Sequence, residues 1–153
     1  MFLVDTNVLV YAIHPSGPEH AACRSLLEQA RTGPAAWYTT WGIVYEFLRV
    51  STHPRLFSDP WDLAQAWRFV SGLLGSPNLT VLTETARHAE VATQVFDGAP
   101  ALKGNILHDA HTAILMREHG VRRIYTHDAD FHRFPFLEVI DPLSGAHSGK
   151  AKL

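Results

Sequence analysis

Short apolar runs alternate with longer segments of helical periodicity along most of this chain. The apolar runs, which we read as buried strands, are residues 2–4, 36–38, 79–82, 123–126 and 137–140. Because helical segments separate most of these strands, the connections are crossovers, which join parallel strands. The sequence therefore predicts an α/β fold with a central parallel sheet flanked by helices on both faces.

The ends of the predicted helices are marked by capping and breaking residues. Asn7 is a candidate cap for a helix that starts at Val8. Asp59-Pro60 predicts a helix start with Pro in the first turn, and Thr83 predicts the start of another helix. The remaining helices are predicted at 19–31, from Thr39 or Thr40 to about 51, and at 105–119.

Length and composition favour one globular domain. Hydrophobic residues make up 46% of the 153 residues and charged residues 18%, which excludes disorder as the main state. The single cysteine excludes an intrachain disulfide and a cysteine-rich zinc module. We predict a domain over residues 1–142 and a flexible C-terminal tail, rich in Gly, Ser and Ala, over residues 143–153.

The N-terminal sequence bears on where the protein is found. No apolar run approaches the roughly 18 residues that span a bilayer. The N-terminal apolar run carries no basic residue and is interrupted by Asp5 and Asn7, unlike a signal peptide. We therefore expect a soluble, cytoplasmic protein with no membrane partner. The net charge of −2 neither indicates nor excludes a phosphate-rich substrate.

Acidic residues follow two of the predicted strands directly. Asp5 ends the first strand and Asp128 comes shortly after the 123–126 strand, with Asp130 two residues further on. In parallel α/β sheets, ligands bind outside the carboxyl ends of the strands. Two further acids, Glu46 and Asp109, lie on or beside the apolar stripes of predicted helices, where a carboxylate is costly unless it is paired.

Each acid taken singly has an ordinary structural interpretation, as a helix cap, a dipole partner, a rim residue or a turn former. A cluster of them without a buried Lys or Arg would repel itself unless a divalent cation neutralised it. An all-carboxylate site suits Mg²⁺ or Mn²⁺ rather than Zn²⁺, and such ions promote phosphodiester hydrolysis. The histidines show no spacing typical of a zinc hydrolase.

Four stretches, in this order and spacing, resemble the PIN-domain ribonucleases, and most closely the VapC toxins of VapBC toxin–antitoxin systems. They are Asp5-Thr6-Asn7-Val8-Leu9, Tyr45-Glu46-Phe47, Asp109-Ala110-His111-Thr112-Ala113 and Thr126-His127-Asp128-Ala129-Asp130-Phe131. The resemblance covers roughly residues 1–142. It implies a PIN-like fold and a metal-dependent endoribonuclease toxin that binds Mg²⁺ or Mn²⁺ and cleaves RNA, often tRNA or rRNA.

The resemblance also implies roles for individual residues. The acids that would bind metal and catalyse cleavage are Asp5, Glu46, Asp109 and Asp128. The supporting residues are Thr6, Asn7, Thr126 and Asp130. Apart from the resemblance, five residues are weaker candidates for contact with RNA phosphates, although ordinary solvated surface is the simpler interpretation of each: Arg49, Arg55, Lys103, Asn105 and Arg133.

The same resemblance implies partners. It predicts a VapB antitoxin whose C-terminal segment covers the acidic pocket, and a homodimer. The main alternative is a non-catalytic RNA- or metal-binding module with a PIN-like fold. A phosphohydrolase for small substrates is a weaker alternative, because the chain lacks a Gly-rich phosphate loop.

Overall fold

The computed structural model describes residues 1–144, and within them it contains one sheet of five parallel strands in the order β3-β2-β1-β4-β5. The strands are β1 (Phe2–Val4), β2 (Trp37–Thr40), β3 (Leu79–Leu82), β4 (Arg123–Tyr125) and β5 (Glu138–Ile140). The predicted parallel sheet is confirmed. The predicted tail falls almost wholly outside the described residues, so its flexibility stays a prediction.

Six α-helices surround the sheet. They are α1 (Thr6–Ile13), α2 (His20–Thr32), α3 (Trp41–Ser51), α4 (Leu63–Leu74), α5 (His88–Gly98) and α6 (Ile106–Glu118), and a 3₁₀ helix covers Ala129–Arg133. Among residues 1–144, no helix has the length and apolar character needed to cross a membrane.

The central strand β1 decides where a ligand can bind. It pairs with β2 on one side and with β4 on the other. The chain runs from β1 outward to β2 and β3, and later returns to β4 on the opposite side. The direction of winding therefore reverses at β1. Such a switch point opens a crevice at the carboxyl ends of the neighbouring strands.

Three helices begin at residues other than those predicted. The cap of α1 is Asp5 rather than Asn7, because the Asp5 Oδ1 atom accepts a hydrogen bond from the Thr6 N–H at 2.7 Å. Helix α4 begins at Leu63, after the predicted start, because Asp62 and Gln65 form a reciprocal capping box. Helix α5 begins at His88, because the segment from Thr83 is bound to α6 instead.

The contact between that segment and α6 is made by the buried carboxylate of Glu118. It accepts hydrogen bonds from the Thr85 hydroxyl at 2.6 Å and from the Thr85 N–H at 3.0 Å. The His88 Nδ1 atom lies 2.7 Å from its other oxygen. These bonds anchor the C-terminal end of α6, while Ala110, Ala113 and other buried side chains hold its inner face. The first turn of α6 therefore projects into the crevice.

Candidate active site

A cleft of about 760 Å³ lies at the carboxyl end of the sheet and brings five carboxylates together. They come from four separate parts of the chain: the end of β1, helix α3, helix α6 and the segment after β4. The five are Asp5, Glu46, Asp109, Asp128 and Asp130. The structure therefore places all the predicted acids around one cleft. Their roles in metal binding and catalysis stay proposals.

Asp5 is the deepest of the five, with 7% of its surface exposed. Its carboxylate accepts hydrogen bonds from the Thr6 N–H, from the Asn7 Nδ2 at 2.8 Å and from the Thr126 hydroxyl at 2.7 Å. Burial raises the pKa of Asp5 to about 6, with smaller contributions in the same direction from Asp128 and Glu46. The hydrogen bonds from Thr126 and Thr6 oppose that rise.

Thr126 connects the two strand-end carboxylates. Its buried hydroxyl donates to Asp5 and accepts from the Asn7 Nδ2 at 2.9 Å and from the Asp128 N–H at 2.9 Å. Asn7 in turn accepts from the His127 N–H at 3.1 Å through its Oδ1. The network thus holds the first turn of α1 against the segment that carries Asp128, across the β1–β4 pair.

We expect Thr126→Val to lower both stability and activity. The substitution keeps the shape of the side chain but removes the donor to Asp5 and the acceptor of the Asp128 N–H. The Asn7 amide loses one of its two acceptors and keeps its bond to Asp5. The free energy of unfolding should fall by about 1–3 kcal/mol, the usual cost of unsatisfied buried polar groups. Urea denaturation and a cleavage assay measure the two effects, and Thr126→Ser, which keeps the hydroxyl, is the control. Equal stability of the Val and Ser variants would contradict the expectation.

Asp109 is half-buried in the first turn of α6 and has no hydrogen-bonding partner among residues 1–144. The pKa of Asp109 is raised to about 7. Burial is the largest cause, and the next are the negative charges of Asp5, Asp128, Glu46 and Asp130. A carboxyl group without a donor or a cation nearby is costly to ionise. In the absence of a cation, Asp109 is therefore partly protonated at neutral pH.

Asp109, Asp128 and Asp130 converge most closely. Each offers a carboxylate oxygen, and these three oxygens lie within 4.8 Å of one another. Asp128 is held in place by its Oδ1, which accepts from the Asp130 N–H at 2.8 Å. Asp128 is exposed and Asp130 is half-buried. Asp130 also accepts a hydrogen bond from the Arg133 Nε at 3.1 Å.

Glu46 reaches the cleft from α3. The inner face of that helix is buried through Ile43, Phe47 and other apolar residues, which leaves Glu46 at the edge of the core. Its Oε2 lies 3.5 Å from the Thr6 hydroxyl, and its Oε1 accepts from the Arg49 Nη2 at 3.3 Å. Glu46 is therefore half-exposed, with 47% of its side-chain surface accessible, and has an arginine partner.

The donor set fits a hard divalent cation. All five acidic groups at the cleft are carboxylates, and oxygen donors suit Mg²⁺ or Mn²⁺ better than Zn²⁺. Arginine compensates the charge of only two of them, Glu46 and Asp130. Among residues 1–144, no Lys or Arg forms an ion pair with Asp5, Asp109 or Asp128. A bound cation would compensate these three charges.

The predicted RNA-contacting residues divide into two groups. Asn105 and Arg49 line the cleft, whereas Arg55, Lys103 and Arg133 are not among its lining residues. The cleft also includes Tyr45 and Thr112, which the sequence reasoning did not single out. Helical spacing could have found Thr112, since it lies about one turn after Asp109.

The model of the PIN domain family matches residues 2–137. The chain therefore belongs to the PIN-domain family. Among its relatives, Ribonuclease VapC48 of Mycobacterium tuberculosis is 34% identical over 92% of this chain and 97% of that protein. Ribonuclease VapC43 of the same organism is also 34% identical, over 95% of this chain and 97% of its own length. Within the family, the chain belongs to the VapC ribonucleases.

Solved structures agree on the fold. Mycobacterium tuberculosis VapC20, described as a sarcin-ricin loop cleaving toxin, superposes with a TM-score of 0.66 at 20% identity, covering 92% of this chain and 100% of that one. VapBC2 from Rickettsia felis, bound to a DNA fragment from its promoter, gives a TM-score of 0.64 at 16% identity. It covers 91% of this chain and 96% of that one.

Proposed function

We propose that this chain, an endoribonuclease toxin of the VapC group, hydrolyses RNA phosphodiester bonds with a divalent cation, Mg²⁺ or Mn²⁺, held by Asp5, Glu46, Asp109 and Asp128. One observation carries the proposal. The carboxylates of Asp109 and Asp128 converge in the cleft beside the buried Asp5, and no arginine or lysine compensates these three charges within residues 1–144.

The residues of the chain contribute position and charge. When bound, the cation would activate the attacking water and stabilise the leaving oxygen. The hydrogen bonds from Thr126 and Asn7 hold the Asp5 carboxylate in one orientation before any ligand arrives. A bound cation would favour the ionised form of Asp109, because its positive charge would offset the burial and the neighbouring negative charges that raise the pKa of this group. Asp130, the accessory acid, would bind the cation or orient a water molecule bound to it.

The proposal extends to partners. The structural neighbours include a VapBC complex and a FitAB complex, each bound to DNA. We therefore propose for this chain an antitoxin of the VapB type, whose segment covers the acidic cleft. We propose a homodimer as well, on the resemblance to the VapC toxins alone. Its substrate class is cellular RNA, tRNA or rRNA, which places the reaction in the cytoplasm.

The alternative of a non-catalytic module is not favoured. A binding module has no need for five carboxylates around one cleft, and the curated relatives of this chain are ribonucleases. A non-catalytic module would bind RNA or metal without turnover.

RNA cleavage in vitro tests the proposed function. The antitoxin-free chain is incubated with total RNA in Mg²⁺, in Mn²⁺ or in EDTA, beside Asp128→Asn. This variant keeps the oxygen that accepts from the Asp130 N–H, so it should fold normally. We expect cleavage that needs the cation and is lost in the variant. Binding without cleavage by the folded, cation-loaded wild type would contradict the nuclease and support the alternative.

A further inference from the structure

Three exposed side chains form a row along the outer face of α3. Trp41, Tyr45 and Arg49 are spaced four residues apart, which places them on one face at intervals of about one helical turn. The exposed fractions are 42% for Trp41 and 66% for Tyr45, both large for aromatic residues. The Trp41 and Tyr45 ring centroids lie 6.3 Å apart. We call these three residues the α3 row.

The α3 row is continuous with the acidic cleft. Tyr45 and Arg49 line the cleft together with Glu46, and Trp41 extends the row by one turn away from it. The Arg49 guanidinium contacts the Glu46 carboxylate at 3.3 Å and remains largely exposed. The row therefore begins beside the proposed reaction centre and presents a cation followed by two aromatic rings.

The order of these groups along α3, one cation and then two aromatic rings, suits the alternating phosphates and bases of single-stranded RNA. Unpaired bases stack on exposed aromatic side chains, and arginine binds the phosphates between them. We propose that the α3 row binds a single-stranded segment of the RNA substrate next to the bond that is cut, with two bases on Tyr45 and Trp41 and a phosphate on Arg49. This inference rests on the proposed function, because it assigns the row to the same substrate.

The neighbours of the row favour RNA over a protein partner. On α3, the residues between its members include Gly42 and Glu46, which also face the cleft. A protein helix packed on this face would bury the Glu46–Arg49 ion pair, and burying an ion pair carries a desolvation cost. A phosphate would instead give Arg49 a second anionic partner in solvent. The row thus suits a charged, flexible chain with flat bases.

RNA binding by variants of the row tests the inference. The probe is a fluorescein-labelled ten-nucleotide single-stranded RNA, measured by anisotropy in Mg²⁺, with every protein carrying Asp109→Asn so that the probe stays intact. Trp41→Leu and Tyr45→Leu should each weaken binding about tenfold, within the range found for the loss of one stacked base. Trp41→Phe and Tyr45→Phe keep a ring and should retain binding within about threefold.

Trp67→Leu is the matched control. Trp67 is a tryptophan of similar exposure, 45%, on α4, and it does not line the cleft. Its substitution should leave binding unchanged. A second probe, the same sequence as a duplex, should be insensitive to all the aromatic variants because its bases are already stacked.

The possible outcomes distinguish failure of the role proposed for the α3 row from failure of the proposed function. Equal binding by the Leu variants and their parent would overturn the role of the row, and so would equal losses in Trp67→Leu. Conversion of a dimer to a monomer by Trp41→Leu, seen by sedimentation, would assign the row to a second copy of the chain instead. Unchanged RNA binding with loss of inhibition by the antitoxin would assign it to that partner. Failure of the wild-type chain to bind or cut any RNA would contradict the proposed function itself.

Discussion

Asp109→Asn is expected to abolish RNA cleavage and at the same time to stabilise the cation-free protein at neutral pH. Cleavage should fall at least about 100-fold, because removing a direct ligand costs more than the 10- to 100-fold lost with an outer-shell partner. Stability should rise by about 1–2 kcal/mol, because Asn carries no charge to be desolvated or repelled by Asp5 and Asp128.

Two measurements check this prediction on one pair of proteins. Urea denaturation at pH 7.5 in EDTA gives the free energy of unfolding, and the cleavage assay in Mn²⁺ gives the activity. The control is Asp97→Asn, an exposed carboxylate on α5 outside the cleft, which should change neither quantity. A variant that loses activity only because it is less stable than the wild type would contradict the argument. So would a fully active variant.

The cation-free protein should lose stability as the pH rises from about 4 to about 7. Asp5 and Asp109 have a pKa near 3.8 when unfolded, and about 6 and about 7 when folded. In that interval the folded state holds more protons than the unfolded state, so each added unit of pH favours unfolding. The contribution of these groups is fully present below pH 4 and is lost as the pH passes through the folded values.

Cations should reverse this loss. At pH 7.5, excess Mn²⁺ should raise the stability by about 2–3 kcal/mol, the linkage energy for a ligand at roughly 100 times its dissociation constant. At pH 5 the same concentration should have little effect, because protons occupy Asp5 and Asp109. Thermal denaturation across pH, with and without Mn²⁺, measures both effects.

The Asp109→Asn variant isolates the contribution of Asp109 to the pH dependence of stability and to the effect of Mn²⁺. Other residues titrate in the same interval, so the difference between wild type and variant is the informative quantity. The variant should show a smaller decline in stability between pH 4 and 7 and a smaller response to Mn²⁺. Identical pH profiles for the two proteins would show that Asp109 ionises freely in the folded chain.

The strand positions could be predicted because they depend on local pattern. Each strand is a short apolar run, and the parallel sheet follows from the helices that separate most strands. The rule that ligands bind at the carboxyl ends of parallel strands then predicted one shared site for Asp5 and Asp128. The positions of Glu46 and Asp109 followed from the placement of a carboxylate on or beside an apolar helical stripe.

One of the helix starts that were wrong depended on a contact between distant segments. Thr83 has the residue type of a cap, yet α5 begins at His88 because Thr85 is hydrogen-bonded to Glu118, far along the chain. The RNA candidates show the same limit. Five candidates were chosen by residue type and neighbouring sequence, and the folded chain places two of them, Arg49 and Asn105, at the cleft.

The sequence by itself determined the α/β class, the parallel sheet and the set of acids that meet at its carboxyl edge, because periodicity and strand direction are properties of consecutive residues. The tertiary structure alone decided how those acids behave. Burial and the neighbouring negative charges raise the pKa values of Asp5 and Asp109, and the hydrogen bond from Thr126 restrains that of Asp5. The role in RNA binding proposed for the α3 row likewise depends on its position beside the cleft, which only the fold defines. Desolvation and charge repulsion depend on distances between residues more than a hundred positions apart, which only the folded chain defines.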